Sequence, residues 1–339
     1  MKQKQTVAIY IGRFQPYHNA HAKILKHCVE TFDHTIVLVG STNQRVSTKN
    51  PFTYEQRRDW IIADQPSVIV RPLIDFIYDD AEWVAQINPL VFDVFNPGDY
   101  EFHLVGHHKD DSSYYLDIFP NFKYYEMPEI YSGISGTMIR DAWFYGVSQY
   151  WTMRVPEPVS KTMRSMSASD VYKDLTEEFE YYRKEREMFR DYPFPETLRF
   201  TCADSVVVCN EHVLLIRRKN APGKGTWALP GGFVNQNETF RQCAIRELKE
   251  ETGINVLKEV LNNAIVNHKL FDSPKRNLGI PRITDAFYYY LLPEDFEGPA
   301  NFPEVAAADD AADIKWFPIS DIRDMKLYDD HADIIGYFL

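Results

Sequence analysis

Cysteine is scarce in this chain of 339 residues: Cys28, Cys202, Cys209 and Cys243 are scattered, with no C-x-x-C pair among them. That spacing excludes a zinc ribbon or a disulfide scaffold and leaves four reduced packing residues. No apolar run reaches the ~20 residues that a bilayer-spanning helix needs. The opening MKQKQTVAIY passes directly into a strand pattern without the apolar core of a secretion signal. A soluble, cytoplasmic protein without a membrane partner is therefore expected. Basic residues are also short, 37 Lys and Arg against 49 Asp and Glu, for a net charge of −12. Such a chain is a poor coat for nucleic acid or an anionic membrane, yet it leaves room for a local basic pocket that takes a phosphorylated metabolite. Internal repeats and low-complexity tracts are missing as well.

What is present divides into two halves, and the length suits two domains, each with its own core. In the first half the apolar strands VAIYIG, TIVLVGS, SVIVRPL and FHLVGH alternate with helical stretches from about His21, over TYEQRRDWII and over AEWVAQI. This alternation predicts an α/β fold with a parallel sheet covered by helices on both faces. Residues 169–191 then read as one charged helix with Val171, Leu175, Phe179 and Tyr182 along a stripe, stopped by the prolines of YPFPET. The strands FTCADSVVVC and HVLLIRR open a second, β-richer half. The expected organisation is a first domain over 1–168, a helix and proline-bounded linker over 169–196, and a second domain over 197–339.

The second half holds GGFVNQNETFRQCAIRELKEETGI, residues 231–254. Phe240, Cys243, Ala244 and Leu248 recur at helical spacing and Gly253 is a natural C-cap, so the reading is one helix from Glu238 to Thr252. On it Glu247, Glu250 and Glu251 occupy i, i+3 and i+4 and share a face. Crowded like charges oppose folding. Either the face is simply solvated, or a cation joins it, and hard oxygen ligands at this density suit Mg²⁺ or Mn²⁺. Gly232, Glu238 and the run from Arg246 to Ile254 match each specified position of the Nudix box, and this half is identified as a member of that family. The resemblance implies an α/β/α sandwich with a mixed sheet, cleaving the pyrophosphate of a nucleoside diphosphate linked to another group. It implies Glu247, Glu250 and Glu251 as metal ligands, one of them or a nearby carboxylate activating water. Glu238 and Arg246 would orient those ligands, and Gly231 and Gly232 would let the preceding loop bend toward the metal.

In the first half, VAIYIG is followed by Arg13, Phe14, Gln15, Pro16, Tyr17, His18, Asn19, Ala20 and His21 as a helix begins. Two histidines there face the positive end of the helix, where phosphate is welcome. Alone, H-x-x-H would equally suit packing or a metal. Together with Gly12 to Pro16, it resembles the GRFQPxHxGH motif of archaeal-type nicotinamide mononucleotide adenylyltransferases, of the HxGH nucleotidyltransferase superfamily, with Ala20 where glycine is usual. NPFTYEQR (50–57) and SGISGTMIR (132–140) resemble two further segments, and the likeness spans residues 6 to about 158. It implies a Rossmann-like domain in which His18, His21 and Arg13 serve catalysis. Gly12, Phe14, Ser135, Thr137 and Arg140 would hold ATP phosphates, and Asn50, Phe52, Arg57 and Trp83 the mononucleotide. Trp83 equally fits a core position. The implied reaction joins nicotinamide mononucleotide, or its nicotinate form, to the AMP part of ATP with Mg²⁺ present, releasing pyrophosphate and giving NAD or its deamido form.

The segment FDSPKRNLGIPRITDAFYYYLL, 271–292, is similar to the P-x-R-D-P-R-G segment of ADP-ribose-directed Nudix hydrolases, with Pro274, Arg276 and Arg282 aligned in type. Its Asp-Pro-Arg-Gly core is replaced by Asn277-Leu278-Gly279-Ile280. DIKWFPISDI and LYDDHADII resemble the closing elements of the same subfamily. The expectation is a fused enzyme of NAD metabolism whose partners are ATP, nicotinamide mononucleotide, NAD and ADP-ribose, with Arg276 and Arg282 binding ADP-ribose and a homo-oligomer left open. Two alternatives stand beside it: a Nudix half that only senses its nucleotide, against which the intact box speaks, and a first site that takes another phosphorylated acceptor.

Overall fold

The computed structural model describes residues 4–106, 119, 121–127, 133–296, 302–308 and 310–339. The chain forms two compact units, residues 1–176 and 177–339.

Unit 1 runs β1 (Gln5–Gly12), α1 (Asn19–Thr31), β2 (His34–Val39), α2 (Tyr54–Asp64), β3 (Ile69–Pro72), α3 (Asp80–Ala85), α4 (Ile87–Phe92), β4 (Tyr100–Gly106), β5 (Lys123–Glu126), α5 (Gly136–Phe144), α6 (Ser148–Thr152) and α7 (Glu157–Met166). α8 (Asp170–Met188) starts in unit 1 and ends in unit 2. The five strands lie in the order β3-β2-β1-β4-β5, all parallel. A parallel sheet is buried on both faces, which is why its strands are continuously apolar. Val7 and Ile9 of β1 pack with Ile36, Leu38 and Leu104 on one side. Ala8 packs with Cys28, Phe32 and Val105 on the other. The strand order reverses beside β1, and the crevice at the C-terminal ends of the strands opens there.

The structure differs locally from the sequence reading. α1 begins at Asn19 with His18 as its N-cap, ahead of the expected start near His21. AEWVAQI divides between two short helices, α3 and α4, with Gln86 between them. Val171 is 49% exposed, whereas Leu175, Phe179 and Tyr182 of the same stripe are buried. His107 and Ser132, quoted in the strand and signature segments, lie outside the described residues.

Unit 2 continues with β6 (Phe200–Cys209), β7 (His212–Arg218), β8 (Trp227–Ala228), β9 (Gly231–Phe233), α9 (Phe240–Thr252), α10 (Lys258–Asn263), β10 (Ile265–Phe271), β11 (Arg282–Leu291), β12 (Ala311–Pro318), α11 (Ile319–Ile322) and α12 (His331–Phe338). Its sheet is mixed: β6 and β11 pair in parallel, and the other pairs are antiparallel. Alternation along β6 builds a core on each face. Val207 packs with Cys243 and Leu248 of α9, while Val206 and Val208 pack with Ile334 and Ile335 of α12. The result is helix, sheet, helix. All four cysteines are free thiols, and among the described residues no helix is long and apolar enough to cross a membrane.

Candidate functional sites

The first site grows from the end of β1. A Cβ on Gly12 would stand 2.8 Å from the Phe14 ring, so a side chain there would evict that ring. Phe14 adopts a left-handed backbone, φ 52, a conformation that costs a bulky residue on the order of 1 kcal/mol or more. Its buried ring meets Tyr10 and His21 edge-on, at 5.4 and 4.9 Å between centroids. The His18 and His21 rings stack 3.6 Å apart, and the His18 backbone N–H donates to His21 Nδ1 at 3.3 Å. Both therefore sit in the first turn of α1, at the positive end of its dipole.

Three side chains tie this loop to its neighbours. Gln15 donates through Nε2 to the Phe52 carbonyl at 2.9 Å and accepts the Phe52 N–H at 3.0 Å. Arg140 on α5 donates to the Gln15 carbonyl at 2.5 Å and to Thr137 Oγ1 at 3.1 Å. Arg57, only 1% exposed, donates to the carbonyls of Arg13, Gly40, Ser41 and Thr53 at 2.7, 2.6, 3.4 and 3.1 Å. α5 approaches the loop so closely that a Cβ on Gly136 would lie 2.7 Å from the Gln15 carbonyl oxygen. Ser135 caps that helix, accepting the Met138 N–H at 3.2 Å. Burial pushes Arg57 and Arg140 down to about 10, and the charge of Arg13 pushes each the same way. Arg13 thus repels both buried arginines, while Asp75 and Glu55 partly offset this at Arg57 and Asp141 at Arg140; a cationic loop in a chain of net charge −12 suits an anion.

The sequence-predicted residues of this half thus fall into several kinds. Arg13 is exposed at the loop. Phe14 and Phe52 are buried, Phe52 stacked on Trp143 at 5.4 Å with its backbone N–H and carbonyl both taken by Gln15, so their part is to shape the loops. Arg57 lies beneath the loop. Asn50 is buried, and its Oδ1 has no hydrogen-bond partner among the described residues. Trp83 is half-buried on α3 against the core cluster that includes Phe119. Gln15 was not singled out from sequence, because its partner Phe52 is 37 positions away.

The second site lies in a cleft of about 460 Å³ that Glu247, Glu250, Glu251, Arg276 and Arg282 help to line. α9 starts at Phe240, later than the expected Glu238. Thr239 is the N-cap, its Oγ1 accepting the Gln242 N–H at 3.2 Å while Gln242 Oε1 accepts the Thr239 N–H at 2.9 Å. Glu238 therefore stands outside the helix and reaches Arg246 at 2.9 and 2.6 Å. That pairing holds its carboxyl down to about 2. Arg246 also donates to Glu247 at 2.7 Å and to Glu250 at 2.9 Å. Glu251 is buried and accepts the Gly231 N–H at 3.0 Å; burial pushes it up to about 8 against that bond. Glu247 is raised too, by burial, with Arg246 opposing. Gly231 and Gly232 correct the expectation of a flexible loop: they belong to β9, and neither has a positive φ. Their smallness permits close approach, since a Cβ on Gly232 would be 2.4 Å from Glu247 Oε1.

Among the described residues, no three acidic, histidine or cysteine side chains are posed as a finished metal shell. The donor chemistry nonetheless fits a hard divalent cation: burial in a polar cleft raises the Glu247 and Glu251 carboxyls, and a cation would lower both.

The two arginines expected to meet ADP-ribose border this cleft, each locked to a carboxylate. Arg276 forks onto the buried Asp330 with two bonds of 2.9 Å and lies 3.9 Å from Asp204. Burial raises Asp204 to about 6, against the pull of Arg276. Arg282 pairs with Glu185, donates to the Leu278 and Ile280 carbonyls at 3.3 Å, and lies over the Phe200 and Phe233 rings. Asp204, Asp330 and Glu185 went unnoticed in the sequence. No local spacing marks a carboxylate whose partner is 54 or 97 positions distant.

Comparison with known proteins agrees with this division. Residues 9–142 match the Cytidylyltransferase-like family and residues 200–338 the NUDIX domain. The chain is thus a nucleotidyltransferase-type unit followed by a Nudix unit. It is 31% identical over 176 residues to the nicotinamide/nicotinic acid mononucleotide adenylyltransferase of Acinetobacter baylyi, covering 50% of this chain and 92% of that protein. It is 36% identical over 137 residues to the ADP-ribose pyrophosphatase of Methanocaldococcus jannaschii, covering 40% of this chain and 70% of that one. A crystal structure of a bifunctional NMN adenylyltransferase/ADP ribose pyrophosphatase from Francisella tularensis, complexed with AMP and Mn ion, matches it with a TM-score of 0.87 at 30% identity over 98% of both chains. The chain belongs to this family of bifunctional NMN adenylyltransferase/ADP-ribose pyrophosphatases.

Proposed function

We propose that this chain carries out two reactions. In the first, a 5′-phosphate oxygen of nicotinamide mononucleotide attacks the α-phosphorus of ATP, the bond to the β-phosphate breaks, and NAD and pyrophosphate form. In the second, water attacks the pyrophosphate of ADP-ribose and gives AMP and ribose 5-phosphate. The observation that carries the reading is the presence on one chain of two constellations: a cationic loop at the topological switch of a parallel sheet, and a carboxylate-lined cleft over a Nudix helix.

For the first reaction, Arg13, His18, His21 and the N-terminus of α5, with Ser135 and Thr137, stabilise charge on the phosphoryl oxygens. Arg140 joins α5 to the loop and adds its own charge there. Gly12 and Phe14 shape the turn. Asn50 offers its buried oxygen to the mononucleotide and Trp83 its ring, while Phe52, tied through its backbone to Gln15, and Arg57 hold their segment in register. For the second, Glu247, Glu250 and Glu251 would hold Mg²⁺ or Mn²⁺, which would supply Lewis-acid activation of water and phosphate. Arg246 and Glu238 orient those carboxylates, Gly232 admits Glu247, and Arg276 and Arg282 form the cationic wall that faces the substrate phosphates.

The test is a product assay of the whole chain, with ATP plus nicotinamide mononucleotide and separately with ADP-ribose, each with and without Mg²⁺ or Mn²⁺. Metal-dependent NAD and AMP are the expected products. Binding of ADP-ribose without AMP release would replace the hydrolase by a sensor, and an inert first site that accepts another phosphorylated compound would replace its substrate.

A further inference from the structure

Most charged residues of α8 face water, as in the ion pairs Lys173 to Asp170 and Arg183 to Glu180. Glu178 and Glu185 do not: both are buried, at 3% and 8% exposed. They lie two turns apart on one face of the helix. Taking a carboxylate out of water is costly unless strong donors replace the solvent, and in each case the donors come from a loop beside the hydrolase cleft. Glu178 Oε2 accepts the Gly223 N–H at 3.0 Å, and Lys219 to Pro222, just before it, line the cleft. Glu185 Oε2 accepts the Ile280 N–H at 2.8 Å while Oε1 takes the Arg282 guanidinium. Between the two glutamates, Tyr181 lines the same cleft.

The fit at the second loop is tight. Gly279 has φ 78, and a Cβ on it would stand 2.2 Å from Glu185 Oε2 and 2.6 Å from the Tyr182 ring. That segment, Asn277 to Ile280, is where the chain departs from the ADP-ribose-directed pattern. Asn277 closes the turn by donating to the Ile280 carbonyl at 3.0 Å and accepting the Arg282 N–H at 2.9 Å.

We propose that the last turns of α8 are part of the hydrolase substrate site, with Glu178 and Glu185 as positioning residues that fix the two loops flanking the cleft and Tyr181 on its wall. The substrate class is the pyrophosphate-linked nucleotide of the hydrolase reading, on which this inference rests. A helix that merely joined two domains would have no use for buried carboxylates aimed at backbone amides of the second. Held by Glu185, the Arg282 guanidinium meets substrate from a fixed position, so loss of the clamp weakens binding before it slows the chemistry.

The experiment uses the full chain with Glu178→Ala, Glu185→Ala and the milder Glu185→Gln. Loss of a charge-assisted hydrogen bond corresponds to roughly ten-fold or more in a local opening equilibrium. Amide exchange around Ile280 should therefore quicken by about that factor in Glu185→Ala and leave Gly223 unchanged, with the converse in Glu178→Ala. In ADP-ribose hydrolysis, Glu185→Ala should raise KM on the order of ten-fold with kcat held within about two-fold, the signature of lost binding. Glu185→Gln, which can still accept the Ile280 N–H, should fall between, and NAD formation should not change in any variant. Unaltered exchange at both amides, or a fall in kcat with KM unmoved, would overturn the clamp. If the wild-type chain released no AMP from ADP-ribose, the hydrolase reading would fall, and the exchange measurement would still decide whether these glutamates hold the loops.

Discussion

Glu251→Gln tests the second site most directly. The substitution keeps the shape of the side chain and an oxygen for the Gly231 N–H, and removes one ionisable group from a buried place. Burial holds the Glu251 carboxyl at about 8 instead of its ordinary 4.5. Because the folded pKa lies above the unfolded one, the stability that the protonated side chain confers is whole below pH 4.5 and is lost as the pH climbs toward 8. At about 1.4 kcal/mol per pH unit, the metal-free wild type gives up roughly 3 kcal/mol by neutral pH and roughly 5 kcal/mol beyond the folded pKa. The glutamine variant escapes that loss, less about 1 kcal/mol or more for an amide N–H₂ that needs an acceptor. Melting of the metal-free protein should accordingly show the variant level with or below wild type at acid pH. Near pH 8 it should stand above wild type, by on the order of 10 °C for the transition of unit 2. Added Mg²⁺ or Mn²⁺ should raise the wild-type melting temperature more than that of the variant, and ADP-ribose hydrolysis by the variant should fall by orders of magnitude. A variant that melts below wild type at every pH, or that hydrolyses normally and responds fully to metal, would refute the reasoning, and the acidic face of α9 would be only solvated surface.

Three further outcomes are expected. His18→Ala should remove most NAD formation and leave ADP-ribose hydrolysis near normal; an equal fall in both, in a folded protein, would contradict two separate sites. Gly232→Ala should displace the Glu247 carboxylate, which a Cβ would approach to 2.4 Å, and should cost hydrolysis at least ten-fold with little effect on NAD formation; wild-type kinetics would show that Glu247 is not used where it stands. Trp83→Ala should raise KM for the mononucleotide several-fold and leave KM for ATP alone, whereas an equal change in both, together with a lower melting temperature, would mark Trp83 as a core residue only.

Much of this architecture is legible in the residues. The parallel sheet shows in continuous apolar strands because both its faces are buried, and α9 shows in its period and in Gly253, which takes the left-handed C-cap. The start of α9 is legible too: Thr239 and Gln242 form a capping box, whereas the helical periodicity carries the expected helix two residues further back, to Glu238. The cationic side chains were legible by type and not by partner. Arg57, Arg276 and Arg282 look like ligand-binding arginines in sequence. Only the fold shows that each is first bound by carbonyls or carboxylates from distant segments. The two glycines of the Nudix loop were misjudged for a similar reason: a small residue signals either an unusual backbone or a close neighbour, and only the packing of β9 against Glu247 decides between them.

The four carbonyls around Arg57 come from three stretches: the end of β1, the turn after β2 and the start of α2. A planar guanidinium can serve them together, which a lysine ammonium cannot imitate. This bears on the order of assembly. Until all three stretches meet, each would leave carbonyls, and the arginine its donors, unsatisfied in a dry interior. The loop after β1 is therefore expected to form together with the sheet beneath it, and a chain caught midway through folding would lack the site that the proposed reading gives to ATP.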